Sequence, residues 1–357
     1  MEIQIGNQLI GQRHPVYFIA EIGANHDGEL ERAKDLVHLA VEAGANAVKF
    51  QNFRAPQIVS DFGFKNLGSQ LSHQQSWKKT VFEVYESASI PLEWTMELGE
   101  LCDELNVQYF SSPYDFDAVN SLASFFPAIK IGSGDITWLE IISLIASKNK
   151  PILLATGAST IGDVQRAVEV ILKKNNQLVL MQCNTNYTAN KENFRHIHLN
   201  VLKTYATLYP DVILGLSDHT SGHSTTLGAV ALGAKVIEKH FTDDTQRDGP
   251  DHSFAMEPQD FKDMILRTRE LEAALGSSQK FIASNEKDTV ILQRRCVRAS
   301  RNMNAGEILS REDLDILRPA PPNSILPYNI DLVLGCRVNE HIEKGDIITW
   351  KKVTPRE

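Results

Sequence analysis

Eight short apolar runs, recurring between residues 16 and 241, constrain this chain more than any other feature. They lie at 16–22, 47–53, 107–112, 128–133, 151–156, 178–183, 212–217 and 235–241. A short run that is apolar at nearly every position reads as a strand covered on both faces, the habit of parallel sheets. Helical segments separate the runs, for example at 30–43, 116–125, 138–147, 161–173 and 258–275. Eight alternating β and α units within about 280 residues predict an α/β fold, a closed (β/α)8 TIM barrel rather than an open doubly wound sheet. No GxGxxG follows the first run, as a dinucleotide-binding turn requires.

Three segments stand outside this rhythm. Residues 1–15 alternate polar and apolar around Gly6 and Asn7, which predicts a hairpin closing one end of the barrel. Residues 54–91 make a far longer connection than a normal βα loop, with an amphipathic helix expected at 77–88. On the carboxyl face of a barrel such an insertion reads as a lid or a substrate-shaping element. From Arg295 the pattern changes to short β-like runs and two similar turns, Asn304-Ala305-Gly306-Glu307 and Glu343-Lys344-Gly345-Asp346. The predicted organisation is a catalytic barrel with its hairpin over 1–282, a linker over 283–294 and a small β-rich domain over 295–357. A domain of that size is marginal alone and is expected to lean on the barrel or on another subunit.

Apolar residues make up 42% of the 357, enough for a large core. The net charge of −9 argues against nucleic acid or an anionic membrane as partner. Cys102, Cys183, Cys296 and Cys336 are far apart and form no CxxC, so they read as reduced thiols. No signal peptide and no membrane-length apolar run is present, which predicts a cytoplasmic protein.

In a (β/α)8 barrel, chemistry gathers where strands meet the following loops. The last two runs each end in a histidine, His219 and His240, and a small apolar segment at 224–234 joins them. A βαβ unit returns both strands in one direction, so the two imidazoles emerge at the same edge and suit a divalent metal with open positions. Lys49 and Lys130 stand at two other strand ends. With Ser112, Ser133 and Ser217 they suit a phosphorylated, carboxylated anion, and Gly132 and Gly134 let backbone N–H groups approach a phosphate. Glu21, Asn25, His26, Gln51, Ser111, Asp135, Thr156, Asn184 and Tyr187 complete the strand-end set. A Schiff-base aldolase or lyase, with one lysine attacking a carbonyl, is the main rival chemistry.

Eight short motifs follow one another along the barrel: AEIGANHDG (20–28), VKFQ (48–51), SSPY (111–114), KIGSGD (130–135), ATG (155–157), GLSDHT (215–220), EKHFT (238–242) and GPD (249–251). In content and order they resemble the sialic acid synthase family, comprising N-acetylneuraminate synthase and bacterial nonulosonate relatives. The resemblance implies a TIM barrel joined to an antifreeze-protein-like (SAF) domain. It implies condensation of phosphoenolpyruvate with an N-acylated aminohexose, either N-acetylmannosamine or a 2,4-diacetamido-6-deoxyhexose. A nine-carbon 2-keto acid and phosphate would result. It further implies Mn²⁺, or else Mg²⁺ or Co²⁺, on His219 and His240. Lys49, Ser112, Lys130, Ser133 and Ser217 would hold phosphoenolpyruvate, with Thr156 and Asn184 in the binding set. Glu21, Asp135, Tyr187 and Asp251 would meet the sugar or move protons. Arg318 would reach the acylamino group across a domain-swapped homodimer.

Four stretches depart from the family pattern. Asp135 stands where neuraminate-forming members usually carry Glu, and 182–190 reads QCNTNYTAN without Tyr-Pro. Arg318-Pro319 runs into Ala-Pro-Pro, and VYESASIPLEW (84–94) is similar to the pseudaminic acid branch. Another phosphoenolpyruvate-dependent 3-deoxy-keto-acid synthase, acting on an aldose phosphate, would need a second basic cluster. The strand ends supply none.

Overall fold

The computed structural model describes residues 1–69 and 72–355. The chain divides into two compact units, Met1–Gly276 and Ser277–Glu357. The first opens with an antiparallel hairpin of β1 (Glu2–Ile5) and β2 (Gln8–Gly11), turned at Gly6 with φ +57°. Eight parallel strands then close into a barrel: β3 (Tyr17–Glu21), β4 (Ala47–Asn52), β5 (Gln108–Pro113), β6 (Ile129–Ile131), β7 (Ile152–Ala155), β8 (Leu178–Cys183), β9 (Ile213–Asp218) and β10 (Val236–His240). All eight expected runs are strands, in sequence order, and β10 pairs with β3 to close the ring.

The reason these runs pair in parallel is visible in their burial. β3, β8, β9 and β10 are buried at every position, inside against the barrel filling and outside against helices. The helix Ile161–Leu172 buries Val164, Ala167, Val168 and Ile171, a stripe at i, i+3, i+4 and i+7. Thr160 starts it with a reciprocal capping box to Asp163, worth about 1 kcal/mol. The segment between β9 and β10 is helical over Ser224–Ala231, so the βαβ unit forms as expected.

Among its described residues the insertion at 54–91 contains three short α-helices and a 3-10 helix, Ser72–Ser76; the last α-helix is Val81–Ala88, behind a Thr80–Glu83 capping box. The expected helix at 77–88 thus starts at the cap, four residues later than its apolar pattern suggests. The barrel's last helix, Pro258–Leu275, stops at Gly276, whose φ of +49° a side chain disfavours. This glycine marks the unit boundary, ahead of residue 282.

In the second unit the stretch expected as a linker is helical over Lys287–Gln293. Ahead of it, a short 3-10 turn spans Ser284–Glu286. Four short strands follow as two antiparallel pairs, β11 (Cys296–Ala299) with β12 (Leu314–Leu317) and β13 (Arg337–Val338) with β14 (Val353–Thr354). They enclose Val297, Met303, Leu309, Ile342 and Ile348. The two similar turns both form, with Gly306 at φ +94° and Gly345 at φ +85°. All four cysteines are free and buried, and among the described residues no helix is long and apolar enough to cross a membrane.

Candidate active site

Strand period places the chemistry. Side chains two apart on a strand share a face, so Glu238 and His240 enter the barrel mouth together while Lys239 points out. Lys239 is wholly used there: its Nζ donates to Asp218 Oδ2 at 2.8 Å, Thr220 O at 2.6 Å and Gly222 O at 3.0 Å. That pins the turn after β9, which carries His219.

On the inner face, register puts His240 opposite Glu21, Glu21 opposite Lys49, and Glu238 opposite Ser217. Lys49 Nζ lies 2.5 Å from Glu21 Oε2, 3.9 Å from Glu238 Oε2 and 3.4 Å from Ser112 Oγ. Lys130 Nζ lies 3.0 Å from Glu238 Oε1, which also accepts from Ser217 Oγ at 3.0 Å. Gln51 Nε2 donates to Glu21 Oε1 at 2.7 Å. All four charged groups are buried. Burial raises Glu238, but Lys130 and Lys49 outweigh it and hold the carboxylate ionised, at about 2. Burial, with the neighbouring Glu238, outweighs Lys49 and the Gln51 hydrogen bond at Glu21 and pushes its carboxyl up to about 7.

This network lines a cavity of about 340 Å³ with His219, His240, Ser133 and Asp135. A Cβ on Gly132 would press on Tyr114 Oη at 3.0 Å. Ser133 Oγ accepts from Gly157 N at 2.9 Å and also hydrogen-bonds the Cys183 side chain. Cys183 shares the cavity, and burial pushes its thiol up, away from the thiolate.

The His219 and His240 rings lie 5.3 Å apart, with Tyr187 4.5 Å from His219 and Phe254 4.8 Å from His240. His219 Nδ1 is 2.8 Å from Asn184 O; a carbonyl only accepts, so Nδ1 carries the proton and Nε2 keeps its lone pair. Burial lowers His219 to about 4 and, with the charges of His219, Lys49 and Lys130, lowers His240 well below the ordinary range. His240 Nδ1 is buried without a hydrogen bond, 3.6 Å from Asp251 Oδ2. Two neutral imidazoles with an orphaned nitrogen fit a divalent cation. Among the described residues no third His, Cys, Asp or Glu completes a cage, so water or substrate oxygens would fill the shell.

Asp251 Oδ2 accepts from Ala24 N at 3.1 Å, and its neighbour His252 is fixed by two side chains. Thr242 Oγ1 bonds His252 Nδ1 at 2.7 Å, and His252 Nε2 bonds Asp27 Oδ1 at 2.9 Å. Gly23 and Gly249 make room for this, since a Cβ on Gly23 would sit 2.6 Å from Asp251 Oδ2 and one on Gly249 2.5 Å from His252.

Glu21, Lys49, Ser112, Lys130, Ser133, Asp135, Tyr187, Ser217, His219, His240 and Asp251 therefore converge on the barrel mouth. Thr156 does not line the cavity: its hydroxyl donates to Met181 O at 3.0 Å and accepts from Tyr205 at 3.0 Å. Asn184 acts through its backbone carbonyl on His219, while its side-chain Nδ2 donates to His196 O at 3.2 Å. Arg318 belongs to the second unit, where its Nε donates to Gln293 O at 2.6 Å. The sequence reading passed over Glu238, although its spacing of two from His240 was the available signal. Tyr85 and Tyr114 were also missed: Tyr85 lies on the insertion, away from any strand end, whereas Tyr114 directly follows β5 and closes the SSPY motif.

Burial pushes the Asp135 carboxyl up from 3.8 to about 6. Between those values the folded chain keeps a proton that the unfolded chain has released, so stability falls as pH rises through the window. Asp135→Asn is expected to raise stability at pH 7 by about 1–3 kcal/mol, and not at pH below 4, while slowing turnover. Equal urea midpoints for the two proteins at pH 7 would contradict this.

The model of the NeuB family matches residues 36–280, and that of the SAF domain matches 294–354. The chain is 33% identical to N,N'-diacetyllegionaminic acid synthase of Legionella pneumophila, with 96% of each chain covered. It is 31% identical to pseudaminic acid synthase of Campylobacter jejuni, over 97% of this chain and 98% of that one. The crystal structure of N-acetylneuraminic acid synthetase from Leptospira borgpetersenii superposes with a TM-score of 0.71 at 27% identity, covering 81% of this chain and 95% of that one.

Proposed function

The chain belongs to the NeuB family of sialic, legionaminic and pseudaminic acid synthases, and on that premise we propose that it condenses phosphoenolpyruvate with the open-chain aldehyde of an N-acylated aminohexose. A nine-carbon 2-keto acid and inorganic phosphate are the products. The observation that carries this reading is the buried pairing of Lys49 and Lys130 with Glu21 and Glu238, under two neutral imidazoles.

Phosphoenolpyruvate brings a carboxylate and a phosphate. Lys49 and Lys130 exchange part of their contact with Glu21 and Glu238 for these anions, and Ser112, Ser133 and Ser217 donate to the remaining oxygens. His219 and His240 would hold the divalent cation, Mn²⁺ foremost and Mg²⁺ or Co²⁺ otherwise, which when bound polarises the aldehyde as a Lewis acid. The C2–C3 π electrons form the new bond to the aldehyde carbon, and positive charge develops at C2, where the Glu238 carboxylate stabilises it. The aldehyde oxygen, which takes the electron pair of the broken C=O π bond, is protonated, and water adds at C2; Glu21, at about 7, is tuned to take the water's proton and return it to that oxygen. The tetrahedral centre then collapses by C–O cleavage, and phosphate departs with the bridging oxygen.

Phosphate release from phosphoenolpyruvate with a panel of N-acylated aminohexoses tests the reaction. Bridge-labelled ¹⁸O phosphoenolpyruvate tests the bond: label in the phosphate supports the scheme, and label in the keto acid sinks it.

The family likeness also leads us to place Arg318 of a second copy at the sugar's acylamino group, in a domain-swapped homodimer. Mixing Arg318→Ala with His240→Ala protein under subunit exchange should restore part of the turnover; no recovery would remove the shared site. The reaction belongs in the cytoplasm, in keeping with the four unpaired cysteines. Recovery from cells outside the cytoplasmic fraction would refute that.

A further inference from the structure

The backbone ladder between β9 and β10 ends at the pair Asp218–Lys239, one residue short of His219 and His240. His240 is held to other segments: the N–H that follows it, of Phe241, donates to Glu21 O at 2.7 Å, and His240 O accepts from Met256 N at 2.7 Å. Beyond the last ladder pair, the turn that carries His219 is joined to the strand that carries His240 by the buried side chain of Lys239.

The donor count of this tie closes. An ammonium has three protons, and Lys239 places them on Asp218 Oδ2, Thr220 O and Gly222 O. Asp218 also accepts from Thr220 N at 3.1 Å, Thr220 Oγ1 at 3.0 Å and Thr225 Oγ1 at 2.5 Å. Residues 218 and 220 flank His219, so both of its chain neighbours are fixed to one ammonium. Thr225 lies in the first turn of the helix Ser224–Ala231, which anchors the far end of the same turn. The hydrogen bond from His219 Nδ1 to Asn184 O sets how the ring is rotated. Lys239 and Asp218 set where its backbone stands.

A buried ion pair gains a fold little over apolar residues of equal size, so stability alone is a weak account of this one. Placement is a better account. Among the described residues no third His, Cys, Asp or Glu joins the two histidines, so affinity for a cation rests on how closely that pair is held. Resting on the reading of His219 and His240 as the cation's ligands, we infer that Lys239 and Asp218 are positioning residues of that centre. They act from the outer side of the barrel and fix the spacing of the two imidazoles.

The test is a Mn²⁺ titration of the full chain followed by electron paramagnetic resonance, with the melting temperature of each variant measured alongside. Lys239→Met is expected to weaken Mn²⁺ binding by about 10- to 100-fold, and the milder Asp218→Asn by about threefold or more. Saturating Mn²⁺ should return most of the turnover of both, with the KM for phosphoenolpyruvate close to that of the parent. The double variant Lys239→Met/Asp218→Asn loses both charges together and should regain stability over Lys239→Met, while its Mn²⁺ binding stays weak. Parental Mn²⁺ affinity in Asp218→Asn, or in either folded variant lacking Lys239, overturns the inference and leaves the pair a stabilising one. A parent protein that binds no Mn²⁺ overturns the metal reading itself, and this inference with it.

Discussion

A Lys130→Met enzyme is expected to lose about 10²- to 10⁴-fold in kcat/KM for phosphoenolpyruvate, the equivalent of removing one partner from a buried charge pair worth about 3–5 kcal/mol. Two effects add. The anionic substrate loses a cation at the floor of its cavity. Glu238, left with Lys49 at 3.9 Å as its remaining cation and Ser217 as its hydrogen-bond donor, rises toward protonation and stabilises charge at C2 less. Lys130→Arg should recover little, because a planar guanidinium cannot occupy the space of a compact ammonium 3.0 Å from Glu238 and beside Ser217. Borohydride should trap no adduct on either lysine in the parent enzyme, which separates this role from Schiff-base chemistry. A folded Lys130→Met protein within tenfold of the parent would end the proposal.

Removal of the divalent cation is expected to cost at least about 10³-fold in turnover, since Lewis-acid activation of a carbonyl supplies several kcal/mol. Chelator-treated protein should regain activity with Mn²⁺, Co²⁺ or Mg²⁺. His219→Ala and His240→Ala should not. Titration of Mn²⁺ followed by electron paramagnetic resonance gives a readout independent of turnover: one site per chain in the parent, and none in either variant. Full activity in protein verified as metal-free would defeat the idea, as would unchanged Mn²⁺ binding in both variants.

The barrel was legible because its signal is repeated eight times, and a parallel strand covered on both faces writes itself as an unbroken apolar run. The histidine pair was legible for a topological reason, since a βαβ crossover returns its strands in one direction. Lys49 and Lys130 stood out as charges inside apolar runs. Thr156 and Asn184 show the limit of that reasoning. Position at a strand end does not decide which way a side chain turns, and one makes its hydrogen bonds with Met181 and Tyr205 while the other lends only its carbonyl. Glu238 was hidden for the opposite cause: it lies between apolar neighbours and Lys239, and only face parity with His240 separates it from an outward charge. The barrel was read as running to 282 because composition does not record the helix end at Gly276, which is a backbone event.

The pairing of the two lysines with Glu21 and Glu238 bears on how the substrate arrives. A cavity whose cations are already compensated projects almost no field beyond its mouth, and the chain as a whole carries −9. A trianion therefore feels weak repulsion during its approach and attraction only after it has displaced a carboxylate from an ammonium. Capture is then governed by that exchange within the cavity and not by long-range guidance. Salt, by screening the molecule's negative exterior, should leave the encounter rate unchanged or raise it slightly, the reverse of a site whose bare positive charge draws its ligand in from solution.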